Sequence, residues 1–309
     1  MKRSDAAKPS DEVRAFYSVP GAMTGAGRHE VALAALPVDV AELARIVQGL
    51  ALHEFTASSM HGVEVSPERQ FESHIRTVPR MLDRLQALDD RPLQQARAPT
   101  ARLLGVCHHF ALLLLAMLRA KGIPSRARWG FGAWFNAPYF EDHVLCEIWK
   151  PDEARWVLVD AQLDEVWQRQ PAVDFDVLDV PRDRFILAAD AWVRCREGNA
   201  DAGRFGIFKG EQRGLWFIAG NLLKDAAALV KNETLPWDVF GAMPAPGTAL
   251  DAEALAFFDR LAQLTASPDE ALPELRRLAE CDERVRVPAL VFNAVRGVTE
   301  PFPEAVAAR

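Results

Sequence analysis

The stretch Phe110–Leu118 reads FALLLLAML, nine apolar residues in a row, and no other segment restricts the fold as tightly. A helix built from it is apolar round its whole circumference, so it has to be buried on every side. The run is about half of what a membrane span needs. Its place is therefore the centre of a globular core. Gly105-Val106-Cys107 leads into it, and Lys121-Gly122 followed by Pro124 supplies ordinary stop signals. A helix from Cys107 to Lys121 must be packed between other layers, and the rest of the chain has to provide them.

The composition allows this. Half of the 309 residues are hydrophobic and 26% are charged, enough for one large or two modest domains. With 36 Lys and Arg against 43 Asp and Glu, the net charge is −7, which argues against nucleic acid or an anionic membrane as partner. The four cysteines, at 107, 146, 195 and 281, lack the spacing of a disulfide scaffold or a zinc site, so no metal is expected. The opening MKRSDAAKPSDEVRAFY has no apolar stretch behind its basic residues. A cytoplasmic protein with reduced thiols is the expectation.

Residues 1–30 read as a loose lead-in. Val40, Leu43, Ile46, Val47 and Leu50 recur at helical spacing and predict a helix over 39–52. A second helix is expected from Ser66 or Pro67 to Leu88. After the central helix, 126–131, 143–149 and 155–160 carry β-branched and aromatic residues in short bounded runs, which predicts strands. Helical patterning returns over 185–196, 214–231, 251–265 and 267–279, with loops at 199–206 and 236–248. The sum is an α+β fold with a central helix packed on an antiparallel sheet. The expected division is a domain over 1–170, its motif core at 100–165, and a mainly helical region over 171–309.

Chemistry concentrates in residues 105–160. A cysteine at a helix N-terminus sits beside the positive end of the helix dipole and free N–H groups, which favour thiolate and can hold an oxyanion. The base comes from a hairpin. His143 opens the strand HVLCEIW, Asp160 closes RWVLVD, and KPDE at 150–153 turns between them. If Trp149 pairs with Ala154, then Glu147 faces Trp156, Leu145 faces Leu158 and His143 faces Asp160. Opposed side chains share a face, so the carboxylate can orient the imidazole while the imidazole takes the thiol proton.

These segments are recognisable together. GVCHHFALLLLAMLRAKGIPSRARWGF, DHVLCEIW and RWVLVDAQLD resemble the transglutaminase-like superfamily of papain-like cysteine enzymes. The resemblance implies a papain-like core, with Cys107 as nucleophile, His143 as base and Asp160 as the residue that orients it. It implies acyl transfer through a thioester, without metal or organic cofactor. The substrate would be a peptide, a protein or a small amide, with hydrolysis by a cysteine protease or amidase ahead of transglutaminase-type or biosynthetic transfer to an amine. Leu145 and Ala161 stand where the family usually has Trp and Pro, which bears on substrate preference. A second oxyanion donor is expected upstream, with His53, His61, Gln70 and His74 as candidates.

Competing readings exist for each residue. A free cysteine is most often a small core residue, and the whole region could be an idle peptide-binding module. Asp142 competes with Asp160 but points to the opposite strand face. His108 and His109 lie about 100° and 200° round the helix from Cys107 and suit packing or capping better than catalysis. Cys146, Cys195 and Cys281 are expected to be structural. In WGFGAWFNAPYF (129–140) the second half is expected to be a loop whose Trp134, Phe135 and Tyr139 line the substrate cleft.

Overall fold

The computed structural model describes residues 8–210 and 212–303. Ser10 caps α1 (Asp11–Ser18), its hydroxyl accepting the Val13 N–H at 3.2 Å. The described part of the expected lead-in is thus partly helical. Tyr17 explains why: it is fully buried, and its hydroxyl donates to the Leu229 carbonyl at 3.0 Å. A short α2 (Glu30–Ala34) precedes α3 (Val40–Leu50), which Asp39 caps through the Glu42 N–H. The expected helix ends there, and β1 (Ala51–His53) and α4 (Ala57–His61) follow.

The helix expected from 66 or 67 to Leu88 is broken in two. A 3-10 stretch spans Pro67–His74 and α5 spans Val78–Leu88, with Ile75 and Thr77 extended between them. Pro79 is the cause. In a continuous helix its ring would meet the carbonyl four residues back, whereas in a first turn it costs nothing.

β2 (Leu103–Gly105) runs parallel to β1, pairs His53 with Gly105, and feeds α6 (Cys107–Ala120). Every residue of α6 from Cys107 to Arg119 is buried, as the apolar run requires. Each leucine so placed contributes about 1.5–3 kcal/mol.

α6 lies on a sheet built round two long strands, β3 (Ser125–Asn136) and β4 (Tyr139–Lys150). The second half of 129–140, expected to be a loop, instead continues both strands up to a two-residue turn at 137–138, with a register irregularity between Gly132 and Asn136. β5 (Arg155–Val159) covers the second half of one edge of β4, and a one-turn α7 (Glu165–Gln168) follows. β6 (Phe185–Leu187) pairs with β3 before the chain enters α8 (Ala188–Arg196), so the helix expected from 185 starts three residues late. Gly130 permits that pairing: a Cβ there would lie 2.4 Å from the Ile186 carbonyl oxygen. β7 (Phe205–Ile207) joins β4 in parallel, beside β8 (Gln212–Arg213), completing the order β6-β3-β4-β7-β8. Apart from that parallel pair, the sheet is antiparallel.

α9 (Leu215–Leu229), β9 (Asp238–Val239), α10 (Ala252–Ala266) and α11 (Pro268–Cys281) come next. β10 (Leu290–Asn293) pairs with β9 on one side and β11 (Val298–Pro301) on the other, in a small separate sheet that the sequence patterning did not announce. The architecture is α+β, with one hydrophobic core joining α6 and the two long strands to α8, α9 and α10. Among the described residues no helix is long and apolar enough to cross a membrane.

Candidate active site

β2 delivers the cysteine. Val106 is the N-cap of α6 and has no polar side chain, so the ring of His109 reaches back and its Nδ1 accepts the Val106 N–H at 3.2 Å. Gly105 makes room for this: a Cβ there would stand 2.6 Å from the His109 ring. Cys107 is then the first helical residue, at the end of α6 where N–H groups lack carbonyls a turn earlier in the helix.

The hairpin delivers His143 and Asp160, though not in the expected register. Lys150 faces Arg155, Trp149 faces Trp156 and Glu147 faces Leu158, which sets Asp160 opposite Leu145 rather than His143. The turn occupies 151–154, with Ala154 in the left-handed region at φ 49°, so pairing starts only at Arg155. A slip of two residues preserves which face each side chain takes. His143 and Asp160 therefore still meet, as diagonal neighbours, with Nε2 and Oδ2 2.8 Å apart. Asp160 is itself fixed: its Oδ1 accepts the Gln162 N–H at 2.9 Å, and its own N–H donates to the Val177 carbonyl at 2.8 Å.

Nε2 is turned to Asp160, and the Cys107 thiol also acts on the ring. The rings of Trp134 and Phe135 stand edge-on to His143, at 5.6 and 5.1 Å between centroids, and Phe185 lies at 6.1 Å. His143 and Asp160 are 1% and 2% exposed against 7% for Cys107, so Cys107 is the most exposed of the three. Tyr139 is elsewhere, packed on Phe208 at 4.4 Å with Arg213 near its ring.

Four histidines surround the start of α6 and β4, and burial treats them differently. It pushes His53 and His108 down to about 3 and His109 well below the ordinary histidine value. It would lower His143 too, but the Asp160 charge and hydrogen bond, together with the thiol, raise that ring to about 10. The imidazolium form is thus favoured in the fold. This pairing stabilises the protein fully below about pH 6.5 and fades as pH rises through the folded value.

Of the upstream candidates, His53 reaches the site. It pairs with Gly105, two residues before the cysteine, feels the His143 charge, and its buried Nδ1 has no hydrogen-bond partner among the described residues. His61 lies 3.4 Å from Asp164, Gln70 is exposed, and His74 meets Asn293 and the Trp237 ring. Asp142 faces away from the imidazole and accepts from Asn221 at 2.6 Å. His108 contacts the Glu233 carbonyl at 3.3 Å, and the Cys146 thiol donates to the Ala111 carbonyl. Among the described residues no group of three or more His, Cys, Asp or Glu is placed to hold a metal ion.

The site thus consists of a cysteine at the head of the central helix of an α+β core, with a His–Asp pair from the neighbouring hairpin. Residues 69–161, the segment that carries all three side chains, match the family model of the transglutaminase-like superfamily. A solved structure described as a candidate cysteine protease from Cytophaga hutchinsonii is 18% identical with a TM-score of 0.32, covering 61% of this chain. The chain spans 52% of that protein's length, and a likeness this slight carries no argument. No curated protein matches the chain.

Proposed function

We propose that the protein hydrolyses an amide or peptide bond through a thioester on Cys107. One observation carries the reading: a buried imidazole is held 2.8 Å from the Asp160 carboxylate, and its raised pKa has both that carboxylate and the Cys107 thiol among its causes. An imidazolium beside a thiol favours thiolate, the nucleophilic form. The sulfur attacks the carbonyl carbon, and the electron pair moves onto oxygen, where first-turn N–H groups of α6 and the His53 ring N–H receive it. As the C–N bond breaks, His143 gives its proton to the departing amine. It then takes one from the water that opens the thioester and returns the thiolate.

The reading is tested by iodoacetamide alkylation from pH 5 to 9, followed at each cysteine by mass spectrometry. Cys107 is expected to label at pH 6, well below the free thiol midpoint of about 8.5. Cys195 is held up to about 11 and Cys146 higher still by burial, so neither competes there. A Cys107 no faster at pH 6 than the exposed Cys281 would sink the proposal.

The donor role of His53 makes a separate prediction. His53→Ala should lower kcat about 10²-fold or more while KM barely moves. Iodoacetamide builds no oxyanion, so alkylation of Cys107 in the same variant should stay within about two-fold of the parent rate. An unchanged kcat would remove His53 from the mechanism.

A further inference from the structure

Helix α9 turns Phe217, Asn221 and Lys224 to one face by their spacing, towards the start of β4. Asn221 donates to Asp142, the residue before His143. Lys224, one turn further on, is 6% exposed, and its Nζ lies 5.1 Å from the centre of the Trp129 ring and 5.9 Å from that of Phe217. Among the described residues it makes no hydrogen bond and no ion pair within 4.0 Å. The acidic groups that act on it are Asp142, Asp238 and the Cys107 thiol. Asp142 is already engaged by Asn221, and Asp238 by Arg76 and the Leu235 N–H.

Two more buried polar atoms at the same place have no partner, the Trp129 indole N–H and the Asn221 Oδ1. Buried polar groups are paired in the great majority of cases. A buried ammonium and an indole N–H, neither with a hydrogen-bond partner among the described residues, sit beside Asp142 and Val144, the residues that flank His143, and suit an anionic guest. We propose that Lys224, with the Trp129 N–H, binds a carboxylate-sized anionic group carried by the substrate whose carbonyl Cys107 attacks. The inference rests on Cys107 being the nucleophile, and it selects acidic peptides or amides as the substrate class.

The test compares iodoacetate with iodoacetamide as alkylating agents of Cys107 at pH 7. Both form a carbon–sulfur bond as iodide leaves, and they differ only in carboxylate against carboxamide. The His143 imidazolium also attracts iodoacetate, but it is present in every variant. Lys224→Met and Lys224→Gln should lower the iodoacetate-to-iodoacetamide rate ratio about ten-fold, and Lys224→Arg should keep it. The iodoacetamide rate and its pH profile should hold in all three. If Lys224→Met melts early, the Gln and Arg variants give the same contrast. Equal ratios throughout would overturn the inference, as would both reagents slowing together, since Lys224 would then only support the thiolate. A wild-type Cys107 inert to both reagents would instead overturn the nucleophile assignment, and this inference with it.

Discussion

Cys107→Ala is expected to lose amide or peptide hydrolysis by a factor on the order of 10⁴–10⁶, while the protein stays folded. The substitution removes the only atom that forms a bond with the acyl group. It also leaves a space of one sulfur at the buried head of α6, which costs roughly 1 kcal/mol. For a chain of this size that moves the melting temperature by a few degrees. His143→Ala should cost nearly as much activity, since the sulfur then loses its charged partner and the departing amine its proton donor. Residues that act as one unit are strongly non-additive, so the double variant should be no slower than either single one. Multiplicative losses, or a Cys107→Ala protein that still turns over, would break the unit apart. The measurement is release of a fluorescent amine from an acyl-amide panel, with circular dichroism melts run beside it.

Local signals carried much of this architecture. The apolar run at 110–118 announced a buried helix, and α6 is buried from Cys107 to Arg119. Alternating and aromatic patterning found the three strands that carry the hairpin, and face parity brought His143 to Asp160 even though the register was wrong by two. Period-2 geometry explains that tolerance: parity survives a two-residue slip, whereas the exact partner depends on turn conformation, here the left-handed Ala154. What stayed hidden is long-range. Tyr17 looks like part of a polar lead-in until Leu229, 212 residues away, supplies its acceptor. β6 and β7 are three residues each and exist because β3 and β4 offer edges to them. Lys224 lies between Asn221 and Asp225 in a mostly apolar helix, and only the packing of α9 brings it towards Cys107.

Arg128→Met is expected to be among the most destabilising single changes in the protein, by about 3–5 kcal/mol. The guanidinium spans Asp225 at 3.0 Å and Glu147 at 3.1 Å and donates to the Thr265 carbonyl at 2.9 Å, tying β3 to β4, α9 and α10. Glu147 also receives Arg126 at 2.7 Å and Arg182, and Arg126 continues to Asp269. Removing Arg128 leaves Glu147 with two arginines but Asp225 with only the Trp129 N–H, a charge in the interior without a counter-charge. The melting temperature should fall by roughly 5–15 °C. Adding Asp225→Asn takes that charge away and keeps a carbonyl for Trp129, so the double variant should regain a large part of the loss. If it is no more stable than Arg128→Met alone, the deficit lies in lost packing rather than uncompensated charge. Acid offers a second check. Burial acts to raise Glu147, but its arginines hold it well below the ordinary carboxylate range, so its contribution is complete above about pH 4.3 and is lost as pH falls further. Asp225 belongs to α9, the helix that presents Asn221 and Lys224. Loosening this network should therefore also blunt the iodoacetate preference at Cys107, although Arg128 approaches neither reagent.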